Sequence, residues 1–346
     1  MVTHDRYHRQ RLVDGIGDVG QDAICDATVA IVGVGALGCM NASLLTRAGV
    51  GHLILIDRDI VELTNLQRQV LFTEEDANTH RPKAVAAKKH LLAANNEVKI
   101  TTCVENLNAK NIDRILSESQ IVIDGLDNFN TRYLLNDYAV KTKTPYMFAG
   151  VISGQGNAMT ILQGRPCLRC LFPDPPPMGS QDTCDTAGVL SPAIGIAASC
   201  QTMDAIKFLS GNSDKISSTL LTFDVWNTQS SRMNLGNPKP DCTCCNKHVF
   251  EFLDNTTEDE AVALCGKNAV HVPGGGAIDI KIISEKLSQL GTFVASDYVV
   301  RGTLHEERGD SGQPIKLLCF HDGRIIVHGT DDVGRAKAIC DRFLGN

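Results

Sequence analysis

The chain has no surplus of positive charge. Its 33 lysines and arginines stand against 40 aspartates and glutamates, a net charge of -7 over 346 residues. Broad nucleic-acid binding, including DNA, is therefore disfavoured. No apolar run approaches the ~20 residues that a bilayer span needs. The opening stretch, "MVTHDRYHRQRLVDG", is polar and contains no apolar signal segment. There is no internal repeat and no low-complexity segment. The ten histidines show neither HxH nor HExxH spacing, and no Ser-His-Asp-type constellation presents itself. Cysteine, by contrast, is plentiful, with thirteen residues. A cytoplasmic protein is expected, with no membrane contact. Its cysteines should be reduced, metal-bound or catalytic rather than disulfide-paired. Hydrophobic residues make up 43% and charged residues 21%, an ordinary globular balance.

Strand-like and helix-like stretches alternate through the first two thirds. "ATVAIVG" (27–33) reads as a buried strand and "ALGCMNASLLTRAG" (36–49) as a helix. "HLILIDRD" is a second strand, and "RPKAVAAKKHLLAAN" a helix with Pro82 in its first turn. "VKITTCVE", "SQIVIDGLDN" and "TPYMFAGV" continue the strands. A Rossmann-like, doubly wound, mostly parallel sheet follows, with "NAMTILQG" making its far half mixed. "FPDPPPMGSQDTCDTAG" (172–188) is a long loop, and "SPAIGIAASCQTMDAIKFLSG" a helix. The acidic break "DNTTEDE" marks a boundary between residues 1–255 and a small α+β module over 256–346, with a turn at Asp322–Gly323.

Gly33, Gly35 and Gly38 form "GVGALG" at a strand-to-helix turn, where backbone N–H groups can approach phosphate. Asp57 closes the next strand and is expected to accept hydrogen bonds from ribose hydroxyls. Behind it runs a polar, cationic stretch unsuited to hydride transfer. It includes Asp59, Asn65, Arg68 and Gln69, and Lys83 follows. Asp127 is expected at the end of the fourth strand, at the same sheet edge. Two cations and an isolated carboxylate suit a triphosphate with magnesium. Asp127 would hold Mg2+, while Arg68 and Lys83 would neutralise phosphate oxygens. Among the cysteines, "CLRC" supplies Cys167 and Cys170, and "CTCC" supplies Cys242 and Cys245 with Cys244 spare. Two such pairs can close an all-thiolate Zn2+ site, a redox motif and buried free thiols being the alternatives.

"RYHRQ", "GVGALG", "DRDIVELTNLQRQ", "RPKA" and "DGLDN", in that order over about residues 5–250, resemble the E1-like activating enzymes of the MoeB/ThiF/HesA group. The resemblance implies a homodimer that binds MgATP. Such an enzyme adenylates the C-terminal glycine of a ubiquitin-like sulfur carrier (ThiS-like or MoaD-like) ending in Gly-Gly, for thiamine or molybdopterin biosynthesis. A sulfur donor, either a cysteine desulfurase or a sulfurtransferase, is a further implied partner. By motif, Arg9 corresponds to the arginine that reaches the ATP site of the other subunit. Asp57, Asp59, Asn65, Arg68, Lys83, Asp127 and Asn128 correspond to nucleotide and metal residues, and the cysteine pairs to the family's zinc knuckle. The stretch before Lys83, "FTEEDANTHRPKA", is slightly long for the pattern. Cys184 corresponds to a loop cysteine that links covalently to the carrier in some relatives and is dispensable in others. Both readings stay open for it. The carboxylate attacked onto ATP needs no general base, which accords with the missing triad.

Residues from about 260 onward contain no loop of the rhodanese kind. Docking of carrier or donor and simple stabilisation are the two readings of this tail. Three other functions compete for the whole chain: a tRNA-carboxylate-activating dehydratase, an NAD-dependent oxidoreductase and an inactive carrier-binding scaffold. The cationic residues, the cysteine pairs and the intact nucleotide positions disfavour them.

Overall fold

The computed structural model describes residues 6–176, 184–254, 261–264, 268–274 and 276–345. The chain divides into two compact units, Met1–Thr256 and Thr257–Asn346.

In chain order the first unit carries helices α1 (His8–Arg11) and α2 (Gly17–Cys25), then strand β1 (Thr28–Val32), α3 (Ala36–Ala48) and β2 (His52–Ile56). Next come α4 (Glu74–Asn78), α5 (Lys83–Ala94), β3 (Lys99–Cys103), α6 (Ile112–Leu116), β4 (Ile121–Asp124), α7 (Phe129–Thr142), β5 (Tyr146–Ile152) and β6 (Gln155–Ile161). The unit ends with α8 (Leu168–Leu171), α9 (Cys184–Ala187), α10 (Ser191–Leu209), β7 (Thr219–Asp224), β8 (Gln229–Asn234) and α11 (Glu251–Asp254). The short helices α1, α2 and α4 go beyond the sequence reading; in α1 and α4 too few apolar positions mark a helical period.

The strands form one eight-stranded sheet in the order β3-β2-β1-β4-β5-β6-β7-β8. The first five run parallel and the last three antiparallel to their neighbours. This is the doubly wound sheet with a mixed far half that the sequence predicts. Alternation explains its two faces. Val29, Ile31, Leu53 and Leu55 point into a core built with α3, α5 and α10. Ala30, Val32, Ile54 and Ile56 point into the opposite core with α6, α7 and the cysteine segment. Burial on both faces accounts for the near-continuous apolar runs of β1, β2 and β4. Strand order reverses between β1 and β4, and ligands of open α/β sheets bind beyond the carboxyl ends at such a point. The outer strand β8 leaves all six side chains exposed.

The second unit holds β9 (Val262–Leu264), β10 (Ala269–Val272), α12 (Ile280–Ser288), β11 (Gly291–Ala295), β12 (Val299–Arg308), β13 (Pro314–Phe320), β14 (Ile325–His328) and α13 (Val333–Leu344). Its antiparallel sheet has the order β11-β12-β13-β14-β10-β9. Val270, Val300, Leu317, Val327 and Ile339 belong to its own core. Asp279 and Asp332 cap α12 and α13 with their side chains. Asp322 and Gly323 turn β13 into β14, with Gly323 at φ +87°. Cys265 lies outside the described residues. No helix among the described residues is long and apolar enough to cross a membrane.

Candidate active site

The glycine turn lies between β1 and α3. Gly33 adopts φ +87°, and its N–H donates to the Ile56 carbonyl at 2.8 Å. A Cβ on Gly33 would stand 2.6 Å from the Gly125 carbonyl oxygen, and one on Gly38 would stand 1.9 Å from the Gly33 oxygen. A Cβ on Gly125 would meet that same Gly33 oxygen at 2.1 Å. These three glycines exist for backbone-on-backbone packing. Gly35 differs, because a Cβ there would meet nothing nearer than 3.8 Å. Internal packing does not require a glycine at position 35, whereas close approach of a phosphate does. Gly35 is also the N-cap of α3 and offers no side chain to its amides, so the helix start keeps N–H groups and positive potential for an anion.

Asp57 follows β2 and braces this turn. Its two carboxylate oxygens accept from the Val34 N–H and the Asp59 N–H, both at 2.7 Å. Burial raises its pKa, and Lys83 opposes that rise. Lys83 starts α5, is 7% exposed, and donates to Asp59 at 3.2 Å. Burial works against its charge, but Asp59, Asp57 and Asp127 outweigh burial and raise it above the ordinary lysine value. Asp76 sets the loop that delivers Lys83. This buried carboxylate takes the Thr73 N–H, Arg81 at 3.1 Å and His90 at 2.6 Å. The longer stretch before Lys83 is thus an ordered, capped α4 turn.

Asn65 holds the next loop by accepting from the Glu62 N–H at 3.1 Å. Gln69 is 4% exposed, its amide nitrogen lies 3.9 Å from where a Gly35 Cβ would stand, and its Oε1 is buried with no partner. Such an orphaned polar group beside the glycine turn suits a ligand-completed site. Arg68 is half-buried, donates to the Thr64 carbonyl at 3.1 Å, and forms no ion pair among the described residues. Asp127 departs from the sequence reading. Strand β4 stops at Asp124, three residues earlier, because Gly125 breaks the strand. Asp127 therefore lies exposed in the following loop, and Asn128 caps α7 by accepting from the Thr131 N–H at 3.0 Å.

A buried network that sequence reasoning missed fixes this loop. Asp124 accepts from the Leu126 N–H at 2.8 Å, from Arg132 at 3.1 Å and from the Tyr146 hydroxyl at 2.7 Å. Arg132 also donates to the carbonyls of Leu126 and Ala149. Gln201 on α10 ties the Asp124 and Met147 carbonyls together. The spacing of Asp124 and Arg132 across "DGLDNFNTR" was the one available signal. The contributions of Tyr146 and Gln201 exist only in the folded chain.

The cysteine pairs meet in the core that packs against α7. The sulfurs of Cys167, Cys170, Cys242 and Cys245 all lie within 4.8 Å of one another. Cys167–Cys242 is 3.7 Å and Cys170–Cys245 is 3.4 Å. A tetrahedral thiolate site with 2.3 Å bonds has edges of about 3.8 Å, so the donor set suits one metal ion. Cys244 lies outside this four-sulfur set and accepts from the Asn136 amide at 3.3 Å. The Asn136 carbonyl oxygen takes the Leu168 N–H at 2.8 Å, which ties the first pair to the same helix.

Arg9, expected at the site of a second subunit, lies away from the glycine turn of its own. Arg9 is exposed on α1, which attaches to the C-terminal ends of α3 and α5 through Ala48 and Asn95. The glycine turn and Lys83 sit at the opposite ends of those helices. Cys184 begins the four-residue α9, and its side chain lies outside the described residues. The chain after α9 returns to the site edge, where Ser191 donates to the Gln67 carbonyl at 2.8 Å.

Fold and site together define a nucleotide-binding α/β enzyme of the E1-like kind. The ThiF family model matches residues 7–244, and the chain belongs to that family. It is 38% identical over 345 residues to the sulfur carrier protein ThiS adenylyltransferase of Bacillus subtilis, covering 98% of this chain and 99% of that protein. It is 36% identical over 271 residues to the sulfur carrier protein adenylyltransferase of Thermus thermophilus, covering 76% of this chain and 96% of that one. Among solved structures, E. coli MccB with ATP superposes with a TM-score of 0.61 at 25% identity, over 70% of this chain and 75% of that one.

Proposed function

We propose that this protein is an ATP-dependent adenylyltransferase that activates the C-terminal glycine carboxylate of a ubiquitin-like sulfur-carrier protein and releases pyrophosphate. One observation carries the reading. Gly35, the uncapped start of α3, the orphaned Gln69 and the Lys83–Asp59 pair converge at one switch point, with Asp127 near enough to act on the Lys83 charge. The likeness to the B. subtilis protein over nearly its whole length supports a ThiS-type carrier and a place in thiamine biosynthesis ahead of molybdopterin biosynthesis.

A terminal carboxylate with pKa near ~3.5 is already a nucleophile at neutral pH. The barrier lies in bringing one anion to another and stabilising charge around the α-phosphate. The α3 amides and Gly35 would seat the phosphates, and Arg68 and Lys83 would neutralise their oxygens. Asp57 keeps the turn rigid and retains one free lone pair on each oxygen for ribose hydroxyls. Asp127 would hold Mg2+, whose role is to offset polyphosphate charge. Arg9 acts on the site of a second copy, so the working form is a homodimer. Leu44 on α3 and Ile196 and Met203 on α10, large apolar side chains left 37%, 41% and 44% exposed, support such pairing. Cys167, Cys170, Cys242 and Cys245 would hold Zn2+ as a closed structural site with no open coordination position. Cys184 would link covalently to the carrier during sulfur transfer, and a cysteine desulfurase or a sulfurtransferase would be the sulfur donor. We place the protein in the cytoplasm.

Pyrophosphate exchange into ATP tests the reading. Exchange should require a ThiS-type carrier ending in Gly-Gly. Exchange provoked by tRNA alone, or NADH oxidation without exchange, would replace it.

A further inference from the structure

The residues around Arg9 are built to present it outward. Tyr7, the N-cap of α1, and Gln10 stand three residues apart and anchor to the same neighbouring segments, whereas Arg9 between them is exposed. Both flanking side chains are anchored. The Tyr7 ring packs on Gly49, where a Cβ would come within 2.4 Å of it. The Tyr7 hydroxyl accepts from the Asn95 amide at 2.8 Å, and the same amide donates to the Thr46 carbonyl at 2.9 Å. Gln10 donates to Gln21 at 2.6 Å and to the Ala48 carbonyl at 2.9 Å. Gln21 and Asn95 are 0% and 1% exposed, so the anchors are fixed in the subunit core. Arg6 adds a bond to the Ala94 carbonyl at 3.1 Å.

Apart from Gln21 on α2, every anchor lies at the trailing end of α3 or α5. Helix α3 has 13 residues, about 20 Å at 1.5 Å per residue, and its far end is the glycine turn. Arg9 therefore cannot reach the nucleotide residues of its own subunit. We infer that Tyr7 and Gln10, seated on Asn95 and Gln21, are positioning residues that hold Arg9 for the active site of a second copy of the chain. The inference rests on the proposed trans role of Arg9 and deepens it.

Subunit mixing tests both and separates them. In the reference mixture, Arg9→Ala and Asp127→Ala dimers are exchanged and assayed by carrier-dependent pyrophosphate exchange. Half the dimers are mixed and each has one intact site, so about a quarter of wild-type activity should return. No return with mixed dimers present would sink the trans reading itself. The Tyr7→Ala/Gln10→Ala chain, alone, should lose on the order of 100-fold, the scale of misplacing a group by about 1 Å. Mixed with Asp127→Ala it should recover like Arg9→Ala, because its own nucleotide site is sound. Mixed with Arg9→Ala it should stay inactive. Recovery with Arg9→Ala instead would place its damage in the subunit's own site and overturn the inference. So would wild-type activity of the double variant by itself, or failure to recover with either partner. The milder Gln10→Ala, which removes only a part-buried amide, should sort the same way with a smaller loss.

Discussion

At the scale of single residues, neighbouring glycines have different jobs. A methyl group on Gly38 would collide with the Gly33 carbonyl, whereas one on Gly35 would make only ordinary contacts, 3.8 Å from the Gly125 carbonyl oxygen and 3.9 Å from the Gln69 amide. Gly38→Ala should cost several kcal/mol of stability or prevent folding, an overpacking effect usually worth ~1–3 kcal/mol and more against fixed backbone. Gly35→Ala should keep its thermal midpoint and lose carrier-dependent exchange. Equal thermal losses for both would contradict this division. Lys83 gives a second test. Lys83→Met should lower exchange by roughly 100- to 1000-fold, the usual effect of removing one preorganised charge. Its folded pKa is raised above the ordinary 10.5. The stabilising effect of its charge is therefore complete below pH 10.5 and is lost only as pH climbs through the higher folded value. The stability difference between wild type and Lys83→Met should stay flat from pH 6 to about pH 10 in denaturant titrations.

At the scale of elements, the sequence foretold what periodicity and apolar runs encode. The parallel strands, α3, α5 and α10 were legible because each is long or continuously apolar. So was the convergence of Gly35, Gln69 and Lys83, since strand order brings their loops to one sheet edge, where Asn65 and Asp76 fix them. The Asp124–Arg132–Tyr146 network was not legible, because its partners meet only after β4 and β5 pair. The α4 turn inside the long stretch before Lys83 was not legible for the same reason, since Asp76 gains Arg81 and His90 as partners at a distance. Burial raises the pKa of Asp76, but the bonds from His90 and Thr73 outweigh that and hold it below 3.8. Its stabilisation is present above pH 3.8 and is lost as pH falls through the lower folded value. Asp76→Ala should destabilise by about 3 kcal/mol at neutral pH, with the deficit shrinking below pH 4 in acid-unfolding curves. In the cysteine cluster, geometry chooses between Cys244 and Cys245. Cys245→Ser should abolish retention of zinc through a chelator wash, whereas Cys244→Ser should keep about one metal per chain by elemental analysis.

At the scale of the whole molecule, each unit has its own core. The match to the T. thermophilus protein spans 271 residues, while that to the B. subtilis protein runs through the tail as well. Removing residues 257–346 should leave carrier-dependent exchange within about twofold, because independent cores tolerate separation. A large rise in the carrier's half-saturation concentration would instead give the tail a docking role.

The outermost strand of the large sheet has a bearing on solubility. Along β8 the side chains are Gln229, Ser230, Ser231, Arg232, Met233 and Asn234, all turned to solvent, beside an unpaired backbone rim. Such a rim invites a foreign strand to stick, and charge or small polar groups along it discourage adhesion. Replacing Ser231 and Arg232 with valine would remove that safeguard, and light scattering of concentrated protein would register the clumping.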